Sequence, residues 1–206
     1  MTGTFRPRLM LVTDLEVAKG ADSLILRVGA AVEGGVDWVQ VRDRQATGQS
    51  LAVLAQRVVK AVGGQAKVMV NGSLDAACES GADGVHLPEG AEMVREPGMT
   101  VGRSVHSLAA ASLAEAEGVD YIVAGPVFAT ASHLDAQPLG LGLIADISNR
   151  VSVPVLGIGG INSSRAGSVI AAGASGVAVI KAILESSDPE TAARRLREAM
   201  DGARPS

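Results

Sequence analysis

A short pattern returns four times along this chain: Gly35-Val36-Asp37, Gly81-Ala82-Asp83, Gly118-Val119-Asp120 and Gly173-Ala174-Ser175. Each copy ends a segment of helical periodicity and opens an apolar run. Glycine just past the last periodic residue is a helix stop. An apolar run without polar alternation reads as a strand buried on both faces, the kind found in parallel sheets. The copies precede the second, fourth, sixth and eighth such runs, so every even unit is entered in the same way. That regularity fits a closed (β/α)8 barrel better than an open doubly wound sheet.

Taken in order, the pattern predicts strands over 9–13, 38–42, 67–70, 84–86, 99–104, 121–125, 153–161 and 176–180. Helices are predicted over 22–33, 51–62, 74–80, 108–117, 143–150, 165–172 and 189–200. The expectation is a single α/β domain over 1–206, a (β/α)8 TIM barrel with about 26 residues per unit. Composition agrees: 47% of residues are hydrophobic but only 2% aromatic, so the core must be built from Val, Ala, Leu and Ile. Layers of branched aliphatics are what fill the centre of such a barrel.

Charge and motif content exclude several classes of partner. The net charge is −4 and no basic block occurs, so neither nucleic acid nor an anionic membrane surface is expected. The apolar runs are too short to span a bilayer, and the first residues lack a signal-peptide pattern, which points to the cytoplasm. Cys78 is alone and follows Ala76-Ala77 in a helical pattern, so it is expected as a packed core thiol. No G-x-G-x-x-G follows the first strand, so no nicotinamide cofactor is inferred.

The stretch V-P-V-L-G-I-G-G-I (153–161) ends in Gly159-Gly160, and G-V-A-V-I (176–180) is followed by Lys181. Glycines lacking Cβ let a ligand approach main-chain N–H groups. The loops after the seventh and eighth strands are the usual phosphate site of this fold. The competing reading is that the two glycines only turn the chain.

Active sites in this architecture lie at the C-terminal strand ends. The polar residues there are Gln40, Arg42, Asp43 and Arg44, then Asn71, then His86 and Glu89, then Arg103, Ser104, His106 and Ser107. The loop after the sixth strand adds Thr130, Ser132, His133 and Asp135. All three histidines fall in this set, and histidine is the commonest general acid–base residue. Zinc is disfavoured, because the histidines sit on different strands without a cysteine or an i, i+4 pair. Magnesium would want carboxylates, and Asp14, Asp43, Glu89 and Asp135 are the candidates, with no pair evident. Arg42 and Arg44 are two apart and share a strand face, which suggests either an anionic ligand or a salt bridge to Asp14, Asp43 or Glu89.

V-Q-V-R-D-R (39–44), V-N-G-S-L-D-A-A (70–77), G-A-D-G-V-H-L-P (81–88), V-G-R-S-V-H-S (101–107), D-Y-I-V-A-G-P-V-F-A-T (120–130) and the 153–161 stretch together resemble the thiamine phosphate synthase / TenI superfamily. The resemblance runs in order over nearly the whole chain. It implies a (β/α)8 barrel of thiamine biosynthesis whose thiazole phosphate sits on Gly159, Gly160, Val179, Ile180 and Lys181. It also implies a small-molecule partner, thiazole phosphate, and a homodimer.

The superfamily has two branches. The synthase joins a hydroxymethylpyrimidine diphosphate to a thiazole phosphate with magnesium. Its metal carboxylates follow the third and fourth strands, where this chain has Asn71-Gly72 and Pro88-Glu89-Gly90-Ala91. Arg44 stands where the synthase has a lysine. The TenI branch is a thiazole tautomerase that aromatises a carboxythiazole phosphate by moving a proton without metal. Asn71-Gly72, Leu87-Pro88 and G-R-S-V-H-S resemble that branch, but its catalytic histidine corresponds here to Pro126, as in the synthase.

The expectation is therefore a TenI-like tautomerase without cofactor, with His106 or His133 as the proton-transfer residue. Gln40, Arg42, Arg44, Asn71, His86, Ser104, Thr130 and Ser132 are expected to bind substrate. The alternatives are a thiamine phosphate synthase, which would need Mg, and a non-catalytic thiazole-phosphate-binding or regulatory protein. The polar 129–141 loop, with Pro138 and Gly140, suits a mobile lid.

Overall fold

The structure, a computed structural model, describes residues 8–129 and 137–203. The elements run β1 (Arg8–Val12), α1 (Leu15–Ala18), α2 (Ala21–Glu33), β2 (Trp38–Val41), α3 (Gln49–Val62), β3 (Lys67–Asn71), α4 (Leu74–Ser80), β4 (Gly84–Leu87) and β5 (Thr100–Val105). They continue with α5 (Leu108–Ala116), β6 (Tyr121–Ala124), α6 (Gly140–Arg150), β7 (Val155–Ile158), α7 (Ser163–Ala171), β8 (Gly176–Val179), α8 (Lys181–Leu184) and α9 (Pro189–Asp201). The strands pair in sequence order, all parallel, and β8 pairs back onto β1, closing an eight-stranded barrel. No helix among the described residues is long and apolar enough to cross a membrane.

The recurring tripeptide has a structural reason. Asp37, Asp83 and Asp120 each sit just before an even strand and return their carboxylate to the preceding odd strand. Their Oδ2 atoms accept the N–H groups of Leu9 at 2.8 Å, Val68 at 2.8 Å and Val101 at 2.7 Å. The same three residues donate their own N–H to the carbonyls of Leu9, Val68 and Val101. Each aspartate thus closes a ring with one strand-start residue and satisfies a donor left over at the barrel's N-terminal face. Ser175, the fourth member, keeps only the backbone half, donating to the Val155 carbonyl at 2.7 Å.

Alternation along the strands divides the apolar residues into two populations. Residues of one parity pack between barrel and helices, as Leu9, Val39, Val68, Ile122 and Val177 do. Those of the other parity fill the barrel: Met10, Val12, Trp38, Met69, Tyr121, Val123, Leu156 and Ala178. The aromatic rings carry much of that interior, Trp38 and Tyr121 meeting edge to face at 4.7 Å. Parallel register places Asn71, His86, Gly102 and Tyr121 in one row. Gly102 brings no side chain to this row, and the Tyr121 ring occupies the space: a Cβ on Gly102 would lie 2.0 Å from Tyr121 Cζ.

Several expectations are corrected. The short helices α1 and α8 were not read from periodicity, because four residues make only one turn. Asp14, placed among the carboxylates at strand ends, instead caps α1, its Oδ1 accepting from the Val17 N–H at 3.0 Å. β2 ends at Val41, so Arg42 and Arg44 leave the strand and sit in the connection after it. β7 spans only Val155–Ile158, and Gly159 and Gly160 lie beyond it. Cys78 is exposed on α4 and is no core thiol.

Candidate active site

A cavity of about 610 Å³ opens at the C-terminal mouth of the barrel. Its floor is the last inward layer of the strands, including Val12, Gln40, Asn71, Ser104, Val123, Ile158 and Ala178. Of the residues expected from sequence, Gln40, Arg42, Arg44, Asn71, Ser104, His106, Gly159, Gly160, Val179, Ile180 and Lys181 all line it. Thr130, Ser132 and His133, with Asp135, lie outside the described residues, as does much of the stretch read as a lid. The far end of that stretch is tied down: Leu139 and Gly140 donate to the Pro126 and Val127 carbonyls at 2.8 and 3.1 Å.

One end of the cavity is built from main chain. Gly159 and Gly160 have φ of +103° and +62°, which glycine alone adopts without penalty. A Cβ on Gly159 would come within 2.7 Å of Pro126, and one on Gly160 within 2.6 Å of the Ala129 carbonyl. The glycines therefore let two loops approach each other as well as turning the chain. Phe128 donates to the Gly159 carbonyl at 3.1 Å, and Arg165 Nη1 donates to the Gly160 carbonyl at 2.8 Å. The Arg165 guanidinium also stacks 4.9 Å over the Phe128 ring, so the turn is braced from behind. The Lys181 side chain reaches Glu185 Oε1 at 3.2 Å on the same side of the mouth.

The opposite wall is polar and cationic. Gln40, 4% exposed, donates from Nε2 to Asn71 Oδ1 at 2.9 Å, joining β2 to β3. That bond leaves the Gln40 carbonyl oxygen and the Asn71 amide nitrogen as an acceptor and a donor. Thr13, fully buried, accepts the Arg42 N–H and donates to the Arg42 carbonyl, both at 2.8 Å. Sequence reading passed over Thr13. Its only signal is a hydroxyl at the end of the first strand, which lies beside Arg42 once β1 and β2 pair. Burial and then the like charge of Arg44 lower the proton affinity of Arg42, and Asp14 and Asp43 oppose this.

The two histidines among the described residues part company. His106 stands on the rim with its Nδ1 2.7 Å from Glu89 Oε2, and its backbone N–H donates to that same oxygen at 2.7 Å. His86, 1% exposed, is beneath the cavity and does not line it, which corrects its expected role as a substrate ligand. Its Nδ1 lies 3.0 Å from the Tyr121 hydroxyl and its Nε2 2.8 Å from Ser104 Oγ. Burial first, and then the charge of Arg103, lower its pKa to about 3, so the ring is neutral. His86 thus supports Ser104 from below. Arg103 has the outward parity and pairs with Glu117 at 3.1 Å, away from the cavity.

The thiamine monophosphate synthase family model matches residues 9–183. The chain belongs to the thiamine monophosphate synthase family. Within that family it is 43% identical to a thiamine-phosphate synthase of Methanoculleus marisnigri, over 95% of this chain and 96% of that one. A thiamine-phosphate synthase of Anaeromyxobacter dehalogenans is 37% identical, over 91% of this chain and 87% of the other. Among solved structures, a thiamine phosphate pyrophosphorylase from Pyrococcus furiosus superposes with a TM-score of 0.86 at 30% identity, covering 97% and 98% of the two chains.

These relatives overturn the tautomerase expectation, since they carry the synthase name. The physical reason agrees. Pro126 occupies the tautomerase's acid–base position, and proline has no proton to exchange there.

Magnesium, which the resemblance attaches to the synthase branch, does not fit the carboxylates in place among the described residues. Asp14 is used in capping α1, and Asp43 Oδ1 accepts from the Gln45 N–H at 3.2 Å. Glu89 is the one carboxylate lining the cavity among the described residues, and one of its oxygens is engaged twice by His106. No group of three or more His, Cys, Asp or Glu side chains suited to a metal ion occurs among the described residues.

Proposed function

We propose that this protein is a thiamine phosphate synthase, joining a hydroxymethylpyrimidine diphosphate to a thiazole phosphate and releasing diphosphate. The observation that carries the proposal is the 43% identity to a thiamine-phosphate synthase along essentially the full length of both chains. The cavity supports it, with an anion-compatible main-chain end and a cationic wall facing one space of about 610 Å³.

In this reading the thiazole phosphate rests on the Gly159-Gly160 turn and the Val179-Ile180-Lys181 segment, with the lysine supplying charge. The pyrimidine meets the Gln40–Asn71 pair, whose remaining acceptor and donor suit an amino group beside a ring nitrogen. Its diphosphate points to Arg42 and Arg44. The thiazole nitrogen then contributes its lone pair to the pyrimidine methylene carbon. The bond from that carbon to the diphosphate oxygen breaks, and its electron pair leaves with the diphosphate. The protein's part is to hold both reactants in line and to stabilise the departing charge. Ser104, fixed by His86, and Val123 and Ile158 on the floor keep the reacting groups against a surface of low polarity.

The test is a turnover assay with both substrates and magnesium, following thiamine phosphate by mass spectrometry. Steady product formation is expected. No product at millimolar substrate from well-folded protein would overturn the proposal.

A further inference from the structure

The charge balance of the cavity wall leads further. Arg42 and Arg44 both line the cavity, two residues apart, and Thr13 pins the backbone of the first through two hydrogen bonds. The Arg42 guanidinium is half-buried, with Arg44 as a like charge and Asp14 and Asp43 as opposite charges around it. Lys181, paired with Glu185 at 3.2 Å, adds a third cation to the lining. The described lining offers one carboxylate to a metal ion, Glu89, and His106 already engages one of its oxygens through backbone and ring. A wall that binds a diphosphate through magnesium supplies one or two carboxylates aimed at the metal ion. A wall that binds the anion directly needs forked cationic donors, which is what arginine supplies.

We infer that this protein neutralises the diphosphate of its substrate directly, through Arg42 and Arg44 with His106 beside them, and without a carboxylate-held metal ion between protein and diphosphate. Glu89 serves as the holder of His106, which lines the mouth as a further polar residue. The inference rests on the synthase reading above and deepens it. The bond changes are unaltered: the C–O electron pair leaves with the diphosphate, which the guanidiniums receive.

Calorimetric titration of inorganic pyrophosphate into the full chain tests it, first in EDTA and then in magnesium. The expected result is binding in EDTA with an affinity within about threefold of that in magnesium. Arg42→Ala should weaken that binding by about tenfold or more, and Arg42→Lys should recover part of it. If Arg42→Ala does not fold, as judged by circular dichroism, exposed Arg44 provides the second variant, Arg44→Gln. Binding that appears only with magnesium, no binding in either buffer, or binding in EDTA that neither variant weakens would each overturn the inference.

Thiamine phosphate formation on the same samples keeps the two proposals apart. Pyrophosphate bound in EDTA with no turnover under any condition defeats the synthase reading and leaves the anion site. Turnover that requires magnesium, with no pyrophosphate bound in EDTA, does the opposite.

Discussion

His86 shows how far burial can change a residue's chemistry. Enclosed between Tyr121 and Ser104, its imidazole is held neutral, with a pKa lowered to about 3 by burial and by the charge of Arg103. In the unfolded chain a histidine takes up its proton near pH 6.5. Above that pH neither state is protonated and His86 adds no pH dependence. Below it the unfolded chain gains a proton that the folded chain refuses. Stability is therefore expected to fall by about 1.4 kcal/mol per pH unit from about pH 6.5 toward pH 3. Urea unfolding at about pH 7, 6 and 5 reads this slope, and His86→Gln should flatten it. Equal slopes in the two proteins would show that His86 is not responsible. Tyr121→Phe removes one partner of the buried ring and is expected to cost about 1–3 kcal/mol in the same measurement.

Two elements take their form from contacts that cross the barrel. The aspartates before β2, β4 and β6 tie each even strand to its odd neighbour through a carboxylate and a backbone pair. Asp83→Ala should leave the Val68 N–H without its acceptor and cost about 1–3 kcal/mol, while turnover at a temperature where the variant is folded stays unchanged. A change in the Michaelis constant would count against a purely structural role, since Asp83 is at the end opposite the mouth. The Gly159-Gly160 turn has the opposite signature. Gly160→Ala forces a Cβ toward the Ala129 carbonyl at positive φ. The expected outcome is a rise of about tenfold or more in the Michaelis constant for thiazole phosphate, with a cost of about 1–3 kcal/mol in stability. An unchanged Michaelis constant would remove the turn from the phosphate site.

At the scale of the whole molecule, a chain of net charge −4 carries its cavity cations at one mouth of the barrel. Attraction of a diphosphate to that mouth is electrostatic and exposed to solvent on the Arg44 side. Raising salt from about 0.05 to about 0.5 M should therefore weaken pyrophosphate binding several-fold. Thermal unfolding should move little over the same range, because surface pairs contribute little to stability. Salt-insensitive binding would place the anion elsewhere.

Much of this was legible from residues alone. The Gly-x-Asp repeat and the apolar runs announce eight buried strands, because helix stops and strand starts are local chemistry. The rim residues follow from which strand ends face the mouth, so Gln40, Asn71, Ser104 and His106 are expected there from sequence, and all four line the cavity. The branch of the family was not legible in the same way. Local motifs such as Leu87-Pro88 resembled the tautomerase, while likeness along the full chain placed its relatives among the synthases. Only the tertiary structure separated His86 from His106. The two belong to neighbouring strands, yet one is sealed beneath Ser104 and the other is exposed and held by Glu89. Likewise only the pairing of β1 with β2 sets Thr13 against Arg42, and that of β5 with β6 sets Tyr121 over Gly102. Local sequence determines where strands and turns form. Which side chains meet on the barrel's strands depends on contacts between segments distant in sequence, and these exist only once the strands have paired.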